Sequence, residues 1–190
     1  MIRKILFPFF LFLVSCNAPN PPANNAKTRS HSKPKMVTPK PSPSPWNVKT
    51  YVDANGEPTA RKYLRLDADG TFSNSAASNN YLHADFLVNK ENAGILLHQF
   101  KKSNPAEKIT GLVRIKMRNS SGEELEMTSS RGWNKSGGIL IEQNNNDYSQ
   151  FRIFMLKSEG VINVEIRDES TSVYYFDLNT TGFSDALSQL

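Results

Sequence analysis

The chain has 190 residues and a formal charge of +5, which suits one domain of ordinary size with extensions. Residues 1–15 carry +2, residues 16–45 carry +5 and residues 46–190 carry −2, so the basic excess lies ahead of the domain. A domain that gripped phosphate backbones would carry that excess itself, which argues against nucleic acid as a partner. Cys16 is the only cysteine, excluding an intramolecular disulfide and a cysteine metal cluster.

Arg3 and Lys4 precede an apolar run from Ile5 to Val14, broken once by Pro8. That run is too short for a hydrocarbon core, which takes about 20 residues, and fits the apolar region of an export signal. It ends in Leu13-Val14-Ser15-Cys16, which resembles the bacterial lipobox. The resemblance implies a signal peptide over residues 1–15 and acylation of Cys16, with palmitate among the chains, as the first residue of the mature protein. The plainer alternatives are an N-terminal anchor helix or an ordinary cleaved signal. Two or more acyl chains make attachment stable, at about 0.8 kcal/mol per buried CH2. Asn17 follows the cysteine where, in the sorting rule of such lipoproteins, an aspartate retains the protein in the inner membrane. The resemblance therefore implies the outer membrane, facing the periplasm.

Residues 17–45 hold eight of the eleven prolines and no acidic residue. Such a segment buries too little apolar surface to offset chain entropy. It is expected to be a disordered, basic spacer at about 3.1 Å per residue, on the order of 90 Å in contour. Its cations could also meet anionic headgroups or cell-wall carboxylates.

The globular region is expected over residues 46–190. Trp46 to Val52 has strand composition and Asp53-Ala54-Asn55-Gly56 turn composition. A strand is predicted over 62–67, a turn at Asp67-Ala68-Asp69-Gly70 and an extended piece over 70–76. Leu82, Ala84, Phe86 and Val88 alternate with Tyr81, His83, Asp85 and Leu87, predicting a half-buried strand. Residues 94–100 form a denser apolar run suited to a central strand, and 101–108 a loop. Val113, Ile115 and Met117 alternate with Arg114, Lys116 and Arg118. The turn 120–123 leads to a partner strand whose Glu124 and Glu126 can meet those cations. A short strand follows at 139–141.

Residues 147–157 carry two patterns. Tyr148, Phe151, Phe154 and Met155 fall at helical spacing, with Asp147 and Gln150 in capping-box positions and Gly160 as a stop. Phe151, Ile153 and Met155 also alternate as a strand would. The helix is the expectation. Residues 161–168 and 172–178 form a hairpin, and Ser184 opens a short C-terminal helix over 185–190. Eight or nine short strands with at most one medium helix predict a mainly β domain, an antiparallel β-sandwich or barrel-like fold.

Trp46, Tyr51-Val52-Asp53, Gly56, Pro58-Thr59, Lys62-Tyr63, the stretch 70–76 (Gly-Thr-Phe-Ser-Asn-Ser-Ala), Tyr175-Phe176-Asp177-Leu178 and Gly182-Phe183 are similar to small bacterial and phage-encoded lipoproteins of uncharacterised function. That likeness implies a β-rich lipoprotein and no catalytic residues.

Little in the sequence points to chemistry. His83 lies beside Asp85 on the polar face of its strand, yet no Gly-x-Ser-x-Gly elbow accompanies it. Asp67-x-Asp69-Gly70 has its glycine at the fourth position of a calcium loop rather than the sixth, and Ser78 at the twelfth. No metal or cofactor is expected, and catalytic activity is not indicated. A contact surface is expected in the polar stretch 73–80, in the loop 129–135, where Trp133 lies between Arg131 and Lys135, and on the basic stripe Arg114, Lys116 and Arg118. Trp133 is equally compatible with burial, and the stripe with a solvated face balanced by its glutamates. The expectation is a lipid-anchored binding or interaction module with a protein or envelope partner. The alternatives are an envelope hydrolase or small-ligand carrier, which needs His83 or His98 in a pocket beside Ser or Asp, and an accessory lipoprotein of a secretion or phage-related assembly.

Overall fold

The computed structural model describes residues 44–100, 106, 111–129, 132–133, 138–143, 146–169 and 171–190. The signal peptide, Cys16, the spacer to residue 43, Arg131, Lys135 and most of the 101–108 loop lie outside the described residues.

The described strands are β1 (Asn47–Val52), β2 (Pro58–Ser73), β3 (Asn80–Val88), β4 (Asn92–Gln99), β5 (Val113–Arg118), β6 (Glu124–Ser129), β7 (Gly132–Trp133), β8 (Gly138–Glu142), β9 (Val161–Arg167) and β10 (Val173–Asn179). The helices are α1 (Asp147–Lys157) and α2 (Phe183–Leu187). All strand pairs are antiparallel, in the order β6-β5-β9-β10-β2-β3-β4-β8-β7, with β1 added on β2. The two ends of this sheet approach each other: the Ser129 hydroxyl on β6 donates to the Leu140 carbonyl on β8 at 2.9 Å. The fold is mainly β and barrel-like rather than a pair of separate sheets, and it nearly abolishes the unpaired edges of an open sheet.

Alternation decides which side chains enter the core. On β5, Val113, Ile115 and Met117 are buried while Arg114 and Arg118 are exposed. On β9, Ile162, Val164 and Ile166 are buried. Helix α1 adds Tyr148, Phe151, Phe154 and Met155 to the same core, with Phe151 5.6 Å from Phe86 between ring centroids. Ile153 is 53% exposed, which a strand alternating Phe151, Ile153 and Met155 would not allow. The helix is therefore the correct reading of that segment. Its cap differs from the expected one: Asp147 is the first helical residue, and Asn146 precedes it in the left-handed region with no side-chain cap bond. Likewise Gly182, not Ser184, stands ahead of α2.

The predicted turn at Asp67–Gly70 does not exist. Strand β2 runs unbroken through it, with Leu64–Phe72 paired to β3 and Gly70–Ser73 paired to β10. Turn-type residues are carried in strand conformation because the β3 ladder, joined on the other side by β10 from Gly70 on, overrides local preference. Gly70 serves contact instead: a Cβ there would lie 1.9 Å from the Tyr175 carbonyl oxygen. Turns expected elsewhere are present. The Asp53 carboxylate accepts from the backbone of Asn55 at 2.8 Å and of Glu57 at 2.9 Å, with Gly56 at positive φ.

Candidate functional site

Residues of β2, β3 and β4 that point away from the core build one polar cluster. The register sets Asp67 opposite Asp85, Asp69 opposite His83, and His83 opposite His98. Arg65 and Asp67 flank the same face one step along β2, and Tyr81 lies two residues before His83 on β3.

His83 is the pivot. Its Nδ1 lies 2.9 Å from Asp69 Oδ1, an oxygen that also accepts the Tyr81 hydroxyl at 2.7 Å. Its Nε2 lies 3.3 Å from Asp85 Oδ1. On the other side, His98 Nε2 is 3.3 Å from Asp85 Oδ2. That contact is too poorly aligned to be a hydrogen bond, and both ring nitrogens of His98 are shielded from solvent with no hydrogen-bond partner. Arg65 closes the cluster, with Nη2 2.7 Å from Asp85 Oδ1 and Nε 2.8 Å from Asp67 Oδ1.

The sequence places His83 correctly on the face opposite the core, but not its burial. It was expected as a surface histidine, and it is 2% exposed, while Asp85 is 9% exposed. On this outer face His83 and Asp85 are covered while Asp67, Asp69 and Tyr81 around them stay exposed, and a buried carboxylate among polar partners is costly unless paired. Asp67 feels opposing influences. Burial raises its pKa, and the hydrogen bond from Arg65 with the Arg65 charge helps outweigh it, leaving the carboxyl below its ordinary value. The Tyr81 phenol is raised, first by its hydrogen bond to Asp69.

Removing the guanidinium should be felt. Arg65→Ala leaves Asp85 buried without its nearest cation, and a loss of about 1–3 kcal/mol is expected in urea unfolding. This is below the 3–5 kcal/mol of a fully buried pair because Arg65 is itself 39% exposed.

The other expected contact residues are placed differently. Arg114 and Glu126 are 3.5 Å apart, Lys116 and Glu124 2.9 Å, and Arg118 and Glu124 3.8 Å. The basic stripe is thus a cross-strand ladder of exposed ion pairs, each contributing little. Lys116 and Arg118 also border an open cleft of about 280 Å³ with Glu124, Glu165 and Tyr175. Trp133 lies in β7, paired with Gly138; Arg131 and Lys135 beside it lie outside the described residues. Within the β2–β4 cluster the sequence offers His83 and His98 only to the alternative hydrolase or carrier reading, and no residue of it to the expected contact surface. The signal available was two acidic or histidine residues at i, i+2 on each of two adjacent strands, Asp67/Asp69 and His83/Asp85.

As a catalytic triad the cluster lacks its nucleophile: the two nitrogens of His83 face Asp69 and Asp85, not a hydroxyl. The arrangement suits a cation or a proton. No protein-family model, curated protein or solved structure matches the chain.

Proposed function

We propose that this chain is a lipid-anchored protein of the bacterial cell envelope whose β domain is a binding module for a protein or envelope component. The observation that carries the reading is Leu13-Val14-Ser15-Cys16 at the close of the apolar run, followed directly by a proline-rich basic stretch. Asn17 favours the outer membrane, with the domain facing the periplasm.

The beginning of the domain supports a tethered arrangement. Ser44 Oγ donates to the Thr181 carbonyl at 3.3 Å, and Trp46 Nε1 donates to the Asn179 carbonyl at 3.0 Å. The chain therefore enters the barrel as a fixed point beside β10 and α2, and a pull from the spacer is borne by packed structure. Among the described residues no helix is long and apolar enough to cross a membrane. In this reading the acyl chains at Cys16 hold the protein at the bilayer. The hydrolase reading loses support from His83, whose ring faces two carboxylates.

Cys16→Ala is expected to abolish acylation and move the protein out of the envelope fraction, cutting its membrane partition by at least about 100-fold because two or more chains act together. Intact mass of the mature wild-type chain together with fractionation of both forms checks it. An unacylated wild-type chain, or an alanine variant that fractionates with membranes unchanged, would refute the reading.

A further inference from the structure

We propose that Asp67, His83 and Asp85 form a binding site for a divalent transition-metal ion of the zinc type, with Asp69 as the residue that orients His83. Ligand atoms of Asp67, His83 and Asp85 all lie within 4.8 Å of one another. The Nε2 of His83 and the Nε2 of His98 each stand 3.3 Å from a different oxygen of Asp85. Ligands at about 2.0–2.1 Å around a tetrahedral zinc ion are spaced roughly 3.3–3.4 Å apart, so the 3.3 Å between His83 Nε2 and Asp85 Oδ1 matches one edge of such a tetrahedron.

The hydrogen bonds point the same way. A neutral His83 that donates its Nδ1–H to Asp69 would leave its Nε2 lone pair directed at the Asp85 carboxylate. A lone pair facing a carboxylate is repulsive until a cation lies between them. A metal-bound histidine is generally held by a carboxylate on its other nitrogen, and Asp69 occupies that place. Beside these ligands, His98 keeps two shielded ring nitrogens without hydrogen bonds, its Nε2 3.3 Å from Asp85 Oδ2. Charge agrees as well: Asp67, Asp69 and Asp85 against Arg65 leave a formal −2 when both imidazoles are neutral, which one divalent ion balances. An imidazole among the ligands favours zinc-like ions over magnesium and calcium, which prefer all-oxygen shells. The exposed side of the site is formed by Asp67, with half its side chain in solvent, giving an ion a way in.

Arg65 competes for the site. It holds Asp67 Oδ1 and Asp85 Oδ1, and it is exposed enough to swing into solvent when an ion takes those oxygens. Arg65→Gln should therefore tighten metal binding while weakening the metal-free fold, a pairing that a purely structural ion-pair network does not produce.

The test is zinc titration by calorimetry and thermal unfolding on the full chain carrying Cys16→Ala, so that the thiol does not contribute. The expected result is one ion bound per chain with a rise in Tm, and no displacement by magnesium or calcium. Binding should fall at least 10-fold in His83→Gln and 10–100-fold in Asp69→Asn, and should tighten in Arg65→Gln. If His83→Gln fails to fold by circular dichroism, Asp69→Asn and Arg65→Gln decide, because both change exposed side chains. A flat isotherm overturns the proposal. So does zinc binding that is the same in wild type, Asp69→Asn and Arg65→Gln, since the ion would then be held elsewhere, His31 included.

Discussion

Gly70→Ala is expected to lower stability by about 3 kcal/mol, and Gly70→Val to prevent folding. The methyl group of alanine would have to occupy a point 1.9 Å from the Tyr175 carbonyl oxygen and 2.8 Å from Phe176 Cβ. The first of these is backbone, held in a ladder, and cannot rotate aside. Ordinary overpacking costs about 1–3 kcal/mol because side chains can yield; here the strands themselves must part. The place is also sensitive in topology. Strand β10 meets β2 only through Gly70–Ser73, and this short ladder joins the β5–β6 and β9–β10 hairpins to the rest of the sheet. Gly56→Ala is the control. A Cβ at Gly56 meets nothing within 4 Å, so its cost is only that of a positive φ, about 1–2 kcal/mol. Urea unfolding of the two variants beside wild type checks the contrast, and equal losses would mean that the close approach at Gly70 is absorbed.

Gly70 also shows where sequence reading stops. Strand β5 is legible because one of its faces meets water, so polarity alternates with burial at Val113, Ile115 and Met117. The β5–β6 ion pairs follow from that pattern and a short turn. The segment Asp67-Ala68-Asp69-Gly70 reads as a turn because its letters favour one, and nothing local reveals that its pairing to β3 holds it extended. The same limit hides the polar cluster. Spacing within β3 puts His83 and Asp85 on one face, but Asp69 reaches His83 only through the β2–β3 register, and His98 only through β3–β4. Those pairings join residues far apart in the chain, and their burial depends on packing over the outer face. Helix α1 sits between these cases: its spacing is present in the sequence, but a strand pattern overlaps it, and the exposure of Ile153 with the burial of Phe154 separates them.

Trp46→Ala is expected to cost about 3–5 kcal/mol, the range for truncating a large buried aromatic side chain. Trp46 is 5% exposed. Its ring lies 4.9 Å from that of Phe183 and 6.4 Å, edge-on, from that of Phe86. It thus ties β1 to α2 and to the central strand β3 at once. The truncation removes these contacts, leaves a cavity, and deprives the Asn179 carbonyl of its 3.0 Å indole donor. Trp46→Phe should cost less, since it keeps much of the packing and loses mainly the hydrogen bond, worth about 1 kcal/mol. The residue also separates two properties that the proposed anchor would otherwise blur. Trp46 is the first residue of the expected domain and Cys16 the expected point of attachment, so their variants should have opposite profiles. Trp46→Ala should unfold at markedly lower urea while its chains remain acylated, whereas Cys16→Ala should leave the urea midpoint of the domain unchanged and lose the membrane. A Trp46→Ala chain as stable as wild type would mean that the indole is not part of the core, and that the barrel is closed at this end by other residues.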